Sequence, residues 1–200
     1  MSLLVSGLFL LGCAGSFEYK PRALSGAKWQ AANVSVNVDD ARQTASTKLP
    51  TVPKITLGGG READLRLPPE FKEFVRWRLS QLLSGNGPRL RLIILPQRVR
   101  AGWRASAWSE TELANVSLRF RIVSEDGQRV IVEGTGTSRK EFSSGDASDQ
   151  ELALIFRAAC NDAFDDFFAS AANLKRLNDA IAATDPSSGL VHSTPAVSAP

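Results

Sequence analysis

The sequence predicts an α+β domain: a two-layer sandwich in which an antiparallel sheet of about four strands is packed by two helices, in the order β-α-β-β-β-α. Alternation, turn chemistry and two apolar stripes carry that expectation. Val116, Leu118, Phe120 and Ile122 alternate with Ser117, Arg119 and Arg121, which is the period of a half-buried strand. A turn-forming Glu125-Asp126-Gly127-Gln128 follows, and Val130, Val132, Gly134 and Gly136 run back as the second arm of a hairpin. Apolar residues spaced three and four apart recur on either side of this region, as the buried faces of helices do.

Taken in chain order, the first element is the strand of Val34, Val36 and Val38, which alternate with Ser35, Asn37 and Asp39. A turn-rich stretch with Pro50, Pro53 and Gly58-Gly59-Gly60 comes next, in which Ile55-Thr56-Leu57 can make a short edge strand. Pro68 and Pro69 then suit a helix start, where a missing amide costs nothing. Phe71, Phe74, Val75, Leu79, Leu82 and Leu83 give that helix one apolar face, Trp77 lies off it as an edge cover, and Gly85 is the expected stop. Leu90, Leu92 and Ile94 make the next strand, with Arg89 and Arg91 on its other side, and Pro96 either confines it to an edge or ends it.

After the hairpin, whose outer face of Arg119, Arg121, Glu133 and Thr135 reads as solvated or partly covered, Ser148 and Glu151 have the spacing of a capping box. They open the long stripe of Leu152, Ile155, Phe156, Ala159, Ala163, Phe164, Phe167 and Phe168, which should lie on the sheet. Leu174, Leu177 and Ile181 suggest a shorter helix after a break near Ala171. Residues 33–184 are thus read as one domain, 13–32 as an aperiodic tether and 185–200, rich in Pro, Ser and Ala, as a disordered tail.

Composition narrows the class. Of 200 residues, 43% are apolar and 22% charged, ordinary for a globular chain. No apolar run reaches the ~18–20 residues of a membrane-spanning helix. Charge is unevenly spread: ten basic residues stand against four acidic ones between Arg61 and Arg104, whereas acids dominate from Glu141 onward. Two oppositely charged faces would follow from this, able to orient the molecule on an anionic surface or simply to stay in water.

The start of the chain carries a specific signal. Leu3, Leu4, Val5, Leu8, Phe9, Leu10 and Leu11 form a run of secretory h-region length, although no Lys or Arg precedes it. It ends in Leu10-Leu11-Gly12-Cys13, which resembles the lipobox of bacterial lipoproteins. A thiol is needed to carry a diacylglycerol thioether, and a small residue before it lets the signal peptidase cut. The resemblance implies removal of residues 1–12 and lipidation at Cys13. Ala14, where an Asp would signal retention in the inner membrane, implies export to the outer membrane. Cys160 sits within an apolar helical pattern and is expected as a small core residue.

Catalytic templates find little to fit. The one histidine, His192, lies in the tail, so Ser-His-Asp and Cys-His arrangements and most zinc sites lose a member. Gly58-Gly59-Gly60 lacks the Gly-Lys-Ser/Thr of a phosphate loop. Asp39-Asp40 and Asp165-Asp166 are adjacent pairs whose side chains point apart. No enzyme activity, metal or cofactor is expected. A hydrolase of envelope polymers would require converging carboxylates or a buried nucleophile in a cleft. The candidate contact residues are Arg98, Arg100, Trp103, Arg104 and Trp108, expected on a loop where guanidinium and aromatic groups could meet an anionic lipid or a partner protein. Nucleic acid would use the same residue types, but an exported, anchored chain would not meet it.

With the elements in order, the chain resembles the YajG-like family of outer-membrane lipoproteins. The matching pieces are the lipobox at Cys13, the strand Val34-Ser35-Val36-Asn37-Val38-Asp39 leading to Asp40-Ala41-Arg42, and the helix ending at Gly85-Asn86-Gly87-Pro88. The strand pair around Asp126-Gly127 and the helix opening near Asp149 complete them. Auxiliary lipoproteins of lipid-transporting ABC systems and LptE-like lipopolysaccharide-assembly lipoproteins share the arrangement. The resemblance implies a lipid-anchored envelope component with a membrane, protein or anionic-lipid partner, and it transfers no catalytic residue.

Overall fold

The computed structural model describes residues 19–24, 26, 28–38, 42–43, 50–51, 54–56, 62–64, 67–105, 110–144 and 148–183. A four-stranded sheet is built from β1 (Asn33–Val38), β6 (Arg89–Ala105), β7 (Glu110–Ser124) and β8 (Val130–Ser144), side by side in that order. Two short hairpins, β2 (Arg42–Gln43) with β3 (Pro50–Thr51) and β4 (Lys54–Thr56) with β5 (Glu62–Asp64), lie between β1 and the first helix. Helices α1 (Pro69–Leu82), α2 (Asp149–Phe168) and α3 (Ala171–Ala182) complete the α+β architecture.

The sheet is mixed, not wholly antiparallel. β6, β7 and β8 pair antiparallel, but β1 runs parallel to β6, with Val34 opposite Leu90 and Val38 opposite Ile94. The reason is α1: a helix between two adjacent strands returns the chain to the end where it started, so the second strand must run the same way. Alternation placed β1 on the sheet but carries no information about its direction.

Each helix is held as its residues dictate. Pro68 caps α1 and Pro69 occupies its first turn. The helix stops at Leu82, ahead of Gly85, because the backbone of Trp29 takes over its end: Trp29 N–H donates to the Leu82 carbonyl at 2.8 Å, and Ser84 N–H donates to the Trp29 carbonyl at 2.9 Å. Ser148 Oγ accepts from Glu151 N–H at 3.1 Å and opens α2. The whole predicted α2 stripe is buried, Cys160 included. Phe164, Phe167 and Phe168 gather around Phe120 with centroid separations of 5.8, 5.6 and 5.0 Å. Gly136 lets α2 come this close, since a Cβ there would overlap the Ala163 carbonyl oxygen.

The supposed tether is part of the domain from Tyr19 onward. Trp29 and Ala31 are fully buried, and the Trp29 ring lies 4.9 Å from Phe168. Gly87, at φ 110°, has no side chain where the Gln30 carbonyl presses against it. An aperiodic stretch with a single large aromatic residue gives no period to read, yet that residue fills the gap between α1 and α2.

Candidate functional site

Several sequence-predicted features lie outside the described residues: Cys13 and its leader, Asp39-Asp40, Gly58-Gly59-Gly60, Trp108, and the tail with His192. Among the described ones, the densest polar assembly is on α2, at Asp162, Asp165 and Asp166. Steps of three and four residues bring the first beside the other two on one helix face. Asp165-Asp166 alone does not display this convergence. Asp162 was the missing member, and its i+3 and i+4 spacing was the available signal.

These carboxylates grip the N-terminal segment. Arg22 donates through Nε to Asp162 Oδ1 at 2.9 Å, through Nη1 to Asp166 Oδ1 at 3.1 Å, and through its backbone N–H to Asp165 Oδ2 at 3.1 Å. The Tyr19 hydroxyl donates to Asp165 Oδ2 at 3.4 Å. From α1, Arg78 Nε donates to Asp165 Oδ1 at 2.7 Å and its Nη2 to the Arg22 carbonyl at 2.6 Å, with both side chains of the Arg78–Asp165 pair buried. From β8, Ser138 Oγ and Lys140 Nζ reach Asp162 Oδ2 at 3.0 and 3.1 Å.

Charges in the clasp are mutually set. Burial alone would raise the Asp162 carboxyl, but hydrogen bonds from Arg22, Lys140 and Ser138 outweigh it and hold the group below its ordinary value. The Tyr19 hydroxyl is pushed up by burial and then by the Asp165 charge. The hydrogen bond to Asp162 raises Arg22, though burial works against it. Carboxylates so engaged fix a chain in place. These three acids of the acidic end therefore do not join a free acidic face, because they turn onto Arg22, Arg78 and Lys140.

The arginine and tryptophan cluster is rearranged. Arg98, Arg100, Trp103 and Arg104 belong to β6 itself, which continues through Pro96 and past it to Ala105. Pro96 pairs with Leu118 and Arg98 with Ser117, so Gln97 is one extra residue, a β-bulge. Before it, Leu90, Leu92 and Ile94 face the helices; after it, Val99, Ala101 and Trp103 do. Side chains alternate between sheet faces, so Arg98, Arg100 and Arg104 are exposed on the opposite face from the half-buried Trp103. The expected joint contact splits into an apolar inner residue and an outer row of guanidinium groups.

That outer face also holds Arg119 and Arg121, both paired with Glu133 on β8, the second through Nε at 3.3 Å. The Arg119 hydrogen bond, ahead of opposing desolvation, lowers the Glu133 carboxyl. Gln97 Oε1 accepts from Thr135 Oγ1 at 3.4 Å, tying the bulge across the sheet. On the helix side, Trp77 is 47% exposed, with its ring 5.7 Å from Phe74 and the Arg78 guanidinium 5.5 Å from its centroid.

No family model and no curated protein sequence matches the chain. Among solved structures, it is similar to the Xanthomonas campestris protein XCC0632, of family DUF330, at 14% identity and a TM-score of 0.49, covering 82% of this chain and 99% of that one. It is also similar to a minor lipoprotein from Acinetobacter baumannii at 14% identity and a TM-score of 0.37, covering 66% of this chain and 84% of that one.

Proposed function

We propose that this chain is a lipid-anchored, non-enzymatic envelope protein, held by Cys13 on the periplasmic face of the outer membrane, where its domain binds a partner in envelope assembly. The observation that carries the reading is Leu10-Leu11-Gly12-Cys13 at the end of an apolar leader, followed by Ala14. Lipid contributes ~0.8 kcal/mol per buried methylene, so the several acyl chains of a mature lipoprotein hold durably without a spanning helix. No helix among the described residues is long and apolar enough to cross a membrane. Labelling of cells with an alkyne palmitate analogue tests the reading. The wild-type chain is expected to take up label and to fractionate with the outer membrane, and Cys13→Ser to remain an unlabelled, uncleaved precursor. Normal processing of Cys13→Ser overturns it.

A second reading, as an auxiliary lipoprotein of lipid or lipopolysaccharide transport, is favoured by the row of Arg98, Arg100 and Arg104. Arg98 and Arg100, two residues apart on the strand, stand about 7 Å from each other and Arg104 about 13 Å beyond, so the first two guanidinium groups can engage neighbouring phosphates of an anionic glycolipid. A photoreactive residue at Arg104 in intact cells separates the two. Glycolipid adducts that diminish in Arg98→Ser/Arg100→Ser support transport; adducts only to protein exclude it.

A further inference from the structure

We propose that the outer face of α1 around Trp77 rests in the headgroup layer of the membrane that holds Cys13, giving the domain a single orientation on the lipid surface. The inference depends on lipidation at Cys13 and adds to it a docking surface and a facing direction.

The leash is short. From Cys13 to Tyr19 is six residues, which even fully extended reach only about 20 Å. A domain of about 150 residues has a radius of gyration of ~15 Å and a width near twice that leash. The membrane therefore lies within one leash length of the surface that receives Tyr19.

That surface is the helix layer. The Tyr19 hydroxyl binds Asp165 of α2, its ring centroid is 6.1 Å from Phe74 of α1, and Arg22 is fastened to Asp162 and Asp166. Phe74 lies in turn 5.7 Å from Trp77. Two ring contacts thus connect the leash to the bulkiest exposed apolar side chain among the described residues.

An indole suits the boundary between headgroups and acyl chains, since its body is apolar and its N–H seeks a polar partner. Its surroundings on α1 are mixed in charge. Lys72 and Arg76 are exposed to one side, with Glu73 one turn earlier and Glu70 paired to Arg157 at 3.1 Å. The contact is therefore carried by the ring and should persist at high salt and on zwitterionic lipid.

The test uses the full-length lipidated protein purified from membranes and reconstituted into phosphatidylethanolamine vesicles containing lipid brominated at shallow acyl positions. Wild-type tryptophan fluorescence is expected to be quenched, at low and high salt alike. Trp77→Phe should lose that quenching, while Trp103→Phe keeps it. Both substitutions should leave the melting temperature close to wild type, so that folding does not enter the comparison. Absence of quenching in the wild type, or equal quenching in Trp77→Phe, overturns the orientation, including the case in which this face meets a protein. Mass spectrometry of the N-terminal peptide keeps the two failures apart. A peptide without lipid removes the anchoring reading and this inference with it; a lipidated peptide with unquenched Trp77 removes the inference alone.

Discussion

Asp162 joins three segments distant in sequence, because its carboxylate takes Arg22 from the N-terminal segment together with Ser138 and Lys140 from β8. Its folded-state value is depressed below the ordinary 3.8. The stabilisation it supplies is therefore complete above 3.8 and is lost as pH falls through the lower folded-state value. Thermal melts followed by circular dichroism from neutral pH down into the acid range should show a falling midpoint, and Asp162→Asn should flatten part of that fall. An unchanged profile in Asp162→Asn would mean that the clasp adds no acid sensitivity. The sequence showed each acid of this group, and helical spacing would have aligned them. Their partners were not legible, because Arg22 and Lys140 come from elements whose docking only the fold decides.

At the scale of the element, α2 and the hairpin were readable almost residue by residue. Their alternation and stripe are long, and burial of one face leaves a single consistent solution. β6 was harder. Its apolar positions run Leu90, Leu92, Ile94 and then Val99, Ala101, Trp103, two alternations of opposite parity with Pro96-Gln97-Arg98 between them. Such a change of parity is what one inserted residue produces in a continuous strand. A proline beside the change of parity looks like a break into a loop, whereas the strand continues and sets Arg98 and Arg100 on one sheet face and Trp103 on the other. β1 shows the complementary limit: its pattern reveals a buried side, but the parallel pairing is imposed by α1.

For the molecule as a whole, the N-terminal segment joins the core, and Trp29 is the residue that makes it do so. It is fully enclosed between Phe168 and the end of α1. Replacing it with Ala removes the largest buried side chain and leaves a cavity, so Trp29→Ala should cost about 3–5 kcal/mol. Chemical denaturation should remain a single transition at a lower midpoint. Two separate transitions would show the segment to be an independent appendage. A lone aromatic residue without periodic neighbours could not announce this role, and so the domain begins earlier in the chain than hydrophobic patterning indicates.

The mixed sheet leaves one further mark on the molecule. β1 accompanies β6 only as far as Ile94, and among the described strands none is hydrogen-bonded to that side of β6 from there to Ala105. A strand margin without a hydrogen-bonded neighbour invites another copy to add its own strand and begin an aggregate, and here β2 and β4 approach β6. Along this stretch stand a proline with no amide to offer, a bulge that breaks the even spacing of donors and acceptors, and guanidinium groups at Arg98, Arg100 and Arg104 that repel their counterparts on another copy. Proline, bulge and guanidinium groups together disfavour edge-to-edge pairing of copies along this stretch.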